Sequence, residues 1–401
     1  MIRILNIIKK LFILFIILWF SYQYLPSKIY TYPKPAAFSG EYFYNPYEMP
    51  DKYWLKGNFH AHARAWSGLT NGHQSGAEVE NVYKKFNYDI HVVSDYFRIN
   101  PDVNKDSPLY IPTYEHGSDV NKTHRQILGA EKVDFYDITF QFNTHLKQYL
   151  VERLRKSAVV LALNHPGSRE GHSAKVLRKI SGYDCIEVFN NQKDYTGEWD
   201  VALSAGKAVW LMSNDDAHEV EKENNPVGTS WTMLNVDKKE TSDVLAALSS
   251  GKTYGVQLRD DLDEISHRQH RAVNENALDY IKVENDTVKI KMQKTAEEIR
   301  LIGQNGRAKK IVEHTDAIEY PVKKNDTYLR TEVLNKHTRM IFNPVIRYDG
   351  INTPQNTLLS KTHWGLTLLF RFSILITDLM LLKVLIINPA VRRNRKKLSL
   401  A

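Results

Sequence analysis

At 401 residues, with 42% hydrophobic and 25% charged residues, the chain has room for a catalytic domain of barrel size plus a small second domain around an ordinary buried core. The net charge of +8 suggests a nucleic-acid partner until it is located: Arg3, Lys9, Lys10, Arg392, Arg393, Arg395, Lys396 and Lys397, at the two ends, hold eight of the 54 basic residues. The body between them carries 46 basic and 46 acidic residues, so the balance supports no basic nucleic-acid stripe, and the single cysteine, Cys185, excludes an intramolecular disulfide and a Cys-rich zinc site.

Residues 1–25 begin with basic residues and run into a strongly apolar stretch with aromatics at its far edge. That is the pattern of a signal-like segment or membrane anchor, and with no small-x-small cleavage site following directly an uncleaved anchor is expected. Residues 26–56 are proline-rich and read as a linker. From 57 to 258, short apolar runs at 57–62, 89–94, 110–115, 158–164, 185–189 and 207–213 alternate with helix-like stretches at 76–86, 139–156 and 173–180. Such alternation predicts an α/β fold with mainly parallel strands. Cys185, in the run DCIEVF, belongs in a buried strand.

A strand is then expected over 230–236 and a helix over 241–249, stopped by Gly251. Between 280 and 348 the pattern changes to short alternating runs with regular turn signals, which predicts a small antiparallel β domain, sandwich-like, within 259–355. Residues 364–388 are apolar enough to span a membrane although Arg371, Asp378 and Lys383 interrupt them, and charges inside a span need partners or the interface. The basic tail, 389–401, and the basic start place both termini in the cytoplasm and the body outside it.

The chemistry concentrates at the ends of the apolar runs. In an extended strand His60 and His62 share a face and can grip one cation. Ser94-Asp95, Glu115, His124, His165-Pro166 and Asp216-x-His218 follow, each at or near the end of a run, as barrel strands would present them. Arg64, Arg125 and Arg169 lie beside presumed ligands and suit either phosphate or a salt bridge. His116 and Asp215 point to the other side of their strands, and Glu187 is placed to support a ligand. His91 reads as a packed core histidine, and His73, His145 and His172 as exposed.

This order of motifs resembles the PHP (polymerase and histidinol phosphatase) superfamily of metal-dependent phosphoesterases over roughly residues 57–255. AALSSGKTYG at 246–255, TYLRTEV and NPVIRY are similar to its carbaryl-hydrolase-type, CehA/McbA-like branch. The resemblance implies a distorted (β/α)7 TIM-like barrel with ligands at the carboxyl ends of its strands. His60, His62, Glu115 and Asp216 would hold one metal, and Glu115 would bridge to a second held by His124 and His165. His218 matches the ligand of a third site, but Tyr96 stands where that site's other histidine is found, and the loop after His62 has no clear acidic or imidazole ligand. Two divalent ions, of zinc, manganese or iron, are therefore expected, with His218 free to act as a general acid and Asp95 and Arg169 completing the catalytic set.

The expected function is hydrolysis of a small phosphate ester by a metal-bound hydroxide, on a membrane-anchored body. Hydrolysis of a carboxylic or carbamic ester at the same site is the alternative, and a binding module retired from catalysis is the other. A polymerase-associated exonuclease is disfavoured, because the membrane segments would keep it from DNA and the body is neutral.

Overall fold

The computed structural model describes residues 2–48, 52–222, 226–259 and 275–386. Helix α1 (Ile2–Tyr24), basic in its first half and apolar from Leu11 to Phe20, stops just before Pro26, as expected where proline disfavours helical geometry in the residue preceding it. Strands β1 (Tyr30–Thr31), β2 (Tyr42–Tyr44) and β3 (Tyr53–Asn58) follow. Helix α2 (Gly76–Lys85) opens on a capping box in which the Ser75 hydroxyl accepts from Glu78 N and the Glu78 carboxylate accepts from Ser75 N. Next come β4 (Ile90–His91), β5 (Thr113–His116), β6 (Arg125–Leu128), α3 (Thr144–Leu154), β7 (Val160–Leu163), the short α4 (Ala174–Leu177) and β8 (Cys185–Asn190). The chain continues through β9 (Lys193–Asp194), α5 (Thr196–Ser204), β10 (Trp210–Asn214), β11 (Ser230–Val236), α6 (Thr241–Ser250) and β12 (Thr253–Leu258). Gly251 ends α6 at φ 76°, the left-handed cap its position predicted. Strands β13 (Leu278–Glu284), β14 (Thr287–Gly303), β15 (Arg307–Pro321), β16 (Tyr328–Leu334), β17 (Thr338–Phe342), β18 (Val345–Tyr348) and β19 (Lys361–Thr362) precede helix α7 (Trp364–Ile386).

The α/β character is as expected, but the strands are not mainly parallel. Among the described residues only the β3–β4, β7–β8 and β8–β10 ladders are parallel, whereas β5–β6, β6–β7, β3–β11, β11–β12 and every ladder from β13 onward are antiparallel. The ladders form two large sheets, β10-β8-β7-β6-β5 and one running from β13 to β4, and among the described residues they do not close into a barrel. Two single-residue parallel bridges, Tyr96–Glu115 and Ala61–Ala217, link the sheets at both edges. The antiparallel strands after 275 do not stand apart as a sandwich, because β17 pairs with β12 and so extends the sheet that contains β3.

The core between the sheets is apolar and closely packed, with Trp199, Trp210, Tyr183, Phe189 and Phe59 essentially inaccessible to solvent. Cys185 lies there, as its sequence context required. The 26–56 stretch is not a loose linker: β1 pairs with β19, and β2 with β18.

The two apolar helices are antiparallel neighbours. Ser21 Oγ donates to Asp378 at 2.5 Å, Arg371 donates to the Pro26 carbonyl at 2.9 Å, and Thr367 Oγ1 accepts from Ile29 N at 3.0 Å. Only Ile4–Tyr24 is, among the described residues, long and apolar enough by composition to cross a membrane. The basic tail, 389–401, lies outside the described residues.

Candidate metal centre

Six strands deliver side chains to one edge. His60 and His62 follow β3, Glu115 closes β5, His165 follows β7, Glu187 lies in β8, and Asp216 and His218 follow β10. His124 comes from the start of β6, not from a strand's carboxyl end. Because β6 runs antiparallel to both β5 and β7, its first residues sit beside their last ones, and the reversal preserves the convergence.

The geometry brings all seven expected ligands together. Glu115 Oε2 lies 3.3 Å from His60 Nε2 and 3.1 Å from His62 Nε2, and Asp216 Oδ1 lies 3.1 Å and 3.6 Å from the same nitrogens. The other oxygen of Glu115 faces His124 Nδ1 at 3.0 Å and His165 Nε2 at 3.5 Å. Ligating atoms cluster within metal-binding reach as His60–His62–Glu115, as His60–His165–Asp216 and as Glu115–His124–His165, with Glu115 common to the first and last. His62, Asp216 and His218 form a further group.

A cation fits what these residues leave unsatisfied. Glu115 Oε2 and Asp216 Oδ1 are buried and receive no hydrogen bond. An unsatisfied buried polar group ordinarily costs about 1–3 kcal/mol, more when charged. His60 and His62 Nε2 approach each other to 3.3 Å, a placement suited to lone pairs converging on an ion. Burial opposes charge on Glu115, yet the imidazoles of His60 and His124 hold it well below the usual carboxylate range. Burial likewise works against charging His62, but Asp216 and Glu115 outweigh it and raise the ring to about 9. In the absence of a metal, protons play the cations' part.

A polar support surrounds the ligands. Glu187 Oε1 accepts from His60 Nδ1 at 3.0 Å and from Asn214 Nδ2 at 2.9 Å, while its Oε2 accepts from His165 N and Asn190 Nδ2, both at 2.8 Å. Fixing the proton on His60 Nδ1 leaves Nε2 free to ligate. Asn164 donates to Glu115 Oε1 at 2.8 Å. These asparagines were missed in the sequence; the available signal for Asn164 and Asn214 was an amide one or two residues before a candidate ligand in LNHP and SNDD, and Asn190 carried none. Asp95 is buried and does not face the cleft, because its Oδ1 accepts from Ala63 N at 2.8 Å and Arg64 N at 3.0 Å, and Asn100 donates to Oδ2 at 2.7 Å. It acts as a positioning residue for the turn after His62. Gly117, at φ 146°, has no room for a side chain: a Cβ would meet the His124 ring at 2.6 Å.

Beyond the ligands opens a cleft of about 500 Å³ whose lining includes Trp66, Tyr96, Lys122, Arg169, Lys193 and His218. Arg169 is exposed at its rim, and the two lysines, which sequence reasoning did not single out, make it three cations. Tyr96 stacks on His62 at 4.6 Å and on Trp66 at 4.9 Å. Trp66, Lys122, His165, Arg169, Asn191 and Asp216 all adopt positive φ. Non-glycine residues pay about 1–3 kcal/mol for such conformations, and their clustering marks functional sites. His218 Nδ1 lies 3.0 Å from the Asp216 carbonyl, which leaves its Nε2 lone pair open; burial and the neighbouring His62 lower the ring to about 4, so it is neutral at pH 7. A neutral ring with an open lone pair suits ligation or proton acceptance better than the expected general-acid role.

Other expectations divide. His116 and Asp215 are structural, as their strand faces implied: His116 Nε2 donates to the Tyr136 carbonyl, and Asp215 accepts from Gly228 N, Thr229 N and Ser230 N. His91 is only partly exposed in β4 and lies 3.9 Å from Glu80. His73 is exposed, but His172 is fully buried, and His145 is half-buried, its Nδ1 accepting from Tyr30 N. Arg125 is also fully buried, donating to the Thr123 carbonyl and Gln141 Oε1, so it cannot meet a substrate phosphate.

No family model matches the chain, and no curated protein matches it. Among solved structures, it is similar to a two-domain protein from Bacteroides vulgatus containing a predicted PHP-like metal-dependent phosphoesterase, at 12% identity and a TM-score of 0.37, covering 83% of this chain and 99% of that one.

Proposed function

We propose that the chain is a metal-dependent hydrolase of phosphate esters, of the PHP class its motif order resembles. One observation carries this: two carboxylates, each with one buried and unsatisfied oxygen, stand among five imidazoles beside a cleft whose rim bears three cations. His60, His62, Glu115 and Asp216 would hold one divalent ion, and Glu115, His124 and His165 a second. Ions there would polarise the phosphoryl oxygens and acidify a coordinated water. The chain's own residues do the rest. Lys122, Arg169 and Lys193 attract and orient the anionic ester, Glu187 holds His60 and the His165 backbone, and Asp95 pins the turn after His62.

The two single-residue bridges support the seven-strand barrel reading, since they would complete the ring β3-β4-β5-β6-β7-β8-β10 back to β3. The CehA/McbA-like assignment rests on the 246–255 motif and the strands after it. We also take α1 and α7 as paired spans with the body outside the cytoplasm, because Asp378 and Arg371 find partners on or just after α1.

Elemental analysis of the purified full chain, beside His60→Ala, tests the reading together with hydrolysis of 4-nitrophenyl phosphate and 4-nitrophenyl acetate. About two equivalents of metal, lowered in the variant, with cleavage of the phosphate ester, are expected. A folded, metal-free protein after reconstitution would turn the assignment to the binding module, and cleavage of the acetate alone to the carboxylic ester.

A further inference from the structure

The helix pair is not tethered to the body by free chain. Tyr24, Tyr30, Tyr136, Ile138, Tyr149 and Leu150 form a small core of their own, and Phe370 and Ile374 of α7 pack on it. The loop 134–142 is fastened to the end of α1 by four hydrogen bonds: Tyr136 Oη to the Gln23 carbonyl, Thr139 N to Gln23 Oε1 at 2.9 Å, Gln23 Nε2 to Thr139 Oγ1 at 3.3 Å, and Tyr24 Oη to the Phe140 carbonyl at 3.2 Å. Whatever orientation α1 takes in a bilayer therefore fixes that of the body.

The loop presents three phenylalanines to solvent, with Phe135 73%, Phe142 68% and Phe140 43% exposed. Phe142 stacks on Tyr24 at 5.9 Å, and Phe140 and Phe142 line one apolar groove with Ile16, Ile17 and Phe20 of α1. Ile16 lies eight residues before Tyr24, about 12 Å along the helix axis. The 21 residues Ile4–Tyr24 measure about 31 Å, close to the thickness of a bilayer's hydrocarbon core. A span that begins near Tyr24 puts the phenylalanines at or below the headgroups, where aromatic side chains concentrate.

The back of this loop holds the metal centre's strands. His116 and Arg125, the chain neighbours of Glu115 and His124, donate to the Tyr136 carbonyl and to Gln141 Oε1, both at 2.9 Å. Ser118, in the wall of the cleft, donates from both N and Oγ to Asp137 at 2.7 Å. One hydrogen bond separates the cleft wall from the phenylalanine loop.

We propose that loop 134–142 is a second membrane contact that seats the cleft against lipid headgroups, so that the phosphate ester it takes is membrane-borne: a phosphomonoester lipid. The substrate half rests on the hydrolase reading above; the seat does not. Water adds to phosphorus, the bond from phosphorus to the lipid alcohol oxygen breaks, and that oxygen takes the proton water gives up, leaving the lipid alcohol and inorganic phosphate.

The test uses the full chain in phosphatidylethanolamine–phosphatidylglycerol vesicles. Cys185 is buried, so Phe135→Cys, Phe142→Cys and the control Ile311→Cys, at an exposed apolar position on β15, each accept one environment-sensitive fluorophore. The labels at 135 and 142 should shift to the blue and lose most of their emission to acyl-chain nitroxide lipids, while the label at 311 stays water-like. Water-like, unquenched labels at 135 and 142 overturn the seat. In the metal-loaded protein, phosphatidic acid in the same vesicles should be cleaved in preference to soluble 4-nitrophenyl phosphate. Serine at 135, 140 and 142 should lower the lipid rate several-fold more than the soluble rate. Cleavage of the soluble ester alone overturns the lipid substrate. Cleavage of neither overturns the hydrolase reading and the substrate with it, while the labels still decide the seat.

Discussion

Asp215 and Asp216 are chain neighbours with opposite surroundings. Asp215 is fully buried and surrounded by donors: Thr229 N at 3.0 Å, Thr229 Oγ1 at 3.0 Å and Ser230 N at 2.9 Å reach one oxygen, and Gly228 N at 3.0 Å reaches the other. Asp216 receives one bond, from Asn190 Nδ2 at 3.2 Å, and its Oδ1 has none. The buried Asp200–Arg330 pair follows the first pattern, with Tyr328 adding a third donor. A buried charge with a complete set of partners holds the fold together; an incomplete set leaves room for a ligand.

The largest expected effect separates these two aspartates. Asp215→Asn puts an amide N–H₂ against backbone N–H groups and should lower stability by about 3 kcal/mol, read from the denaturation midpoint, while the folded fraction keeps its metal. Asp216→Asn removes one of the carboxylates that hold the His62 ring protonated in the metal-free centre but none of the fold's backbone hydrogen bonds, so it should cost less stability than Asp215→Asn while lowering the metal content. Equal losses of stability in both variants would break the distinction. Glu187→Gln tests a residue between the two extremes, since it touches ligands but faces no ion. Metal affinity should fall about 10- to 100-fold with the fold intact, measured by competition with a chromophoric chelator.

The pH dependence follows from the same contrast. In the metal-free protein the His62 ring is raised to about 9 from an ordinary value near 6.5. A raised imidazole contributes stability that is fully present below about pH 6.5 and is lost as pH rises through about 9. Metal needs the neutral ring, so its binding releases protons and tightens as pH rises. The gap in melting temperature between metal-loaded and chelator-treated protein should therefore widen from pH 6 to pH 9, and a gap that narrows would argue against imidazole ligation.

The candidate ligands were legible mainly through the order of motifs that resembles a known family, helped by their places at or near the ends of apolar runs, and a strand's period of two sets which neighbour faces the site. That rule separated Glu115 from His116 and Asp216 from Asp215. The direction of β6 was not legible, since Arg125–Leu128 reads alike both ways and its partners lie in distant segments. Arg125 and His172 misled because charged and imidazole side chains are ordinarily exposed, and only the assembled structure shows the carbonyl and amide that Arg125 meets. The pairing of β17 with β12, which makes one sheet of two expected domains, is non-local and leaves no mark on periodicity.

The smallest expected effect concerns Tyr96. Its ring lies against His62 and Trp66 in near-parallel stacks, so its contribution is mainly the packing of an aromatic plane, worth about 0.5–1.5 kcal/mol per pair. Tyr96→Phe keeps that plane and should leave metal content unchanged and activity within about threefold, a barrier change below 1 kcal/mol. Tyr96→His brings a nitrogen ligand toward the cluster formed by His62, Asp216 and His218. A third equivalent of metal in Tyr96→His, absent from Tyr96→Phe, would show that the aromatic ring alone closes this corner of the centre. Unchanged stoichiometry in both would mean that the turn after His62, which also lacks a ligand, closes it independently.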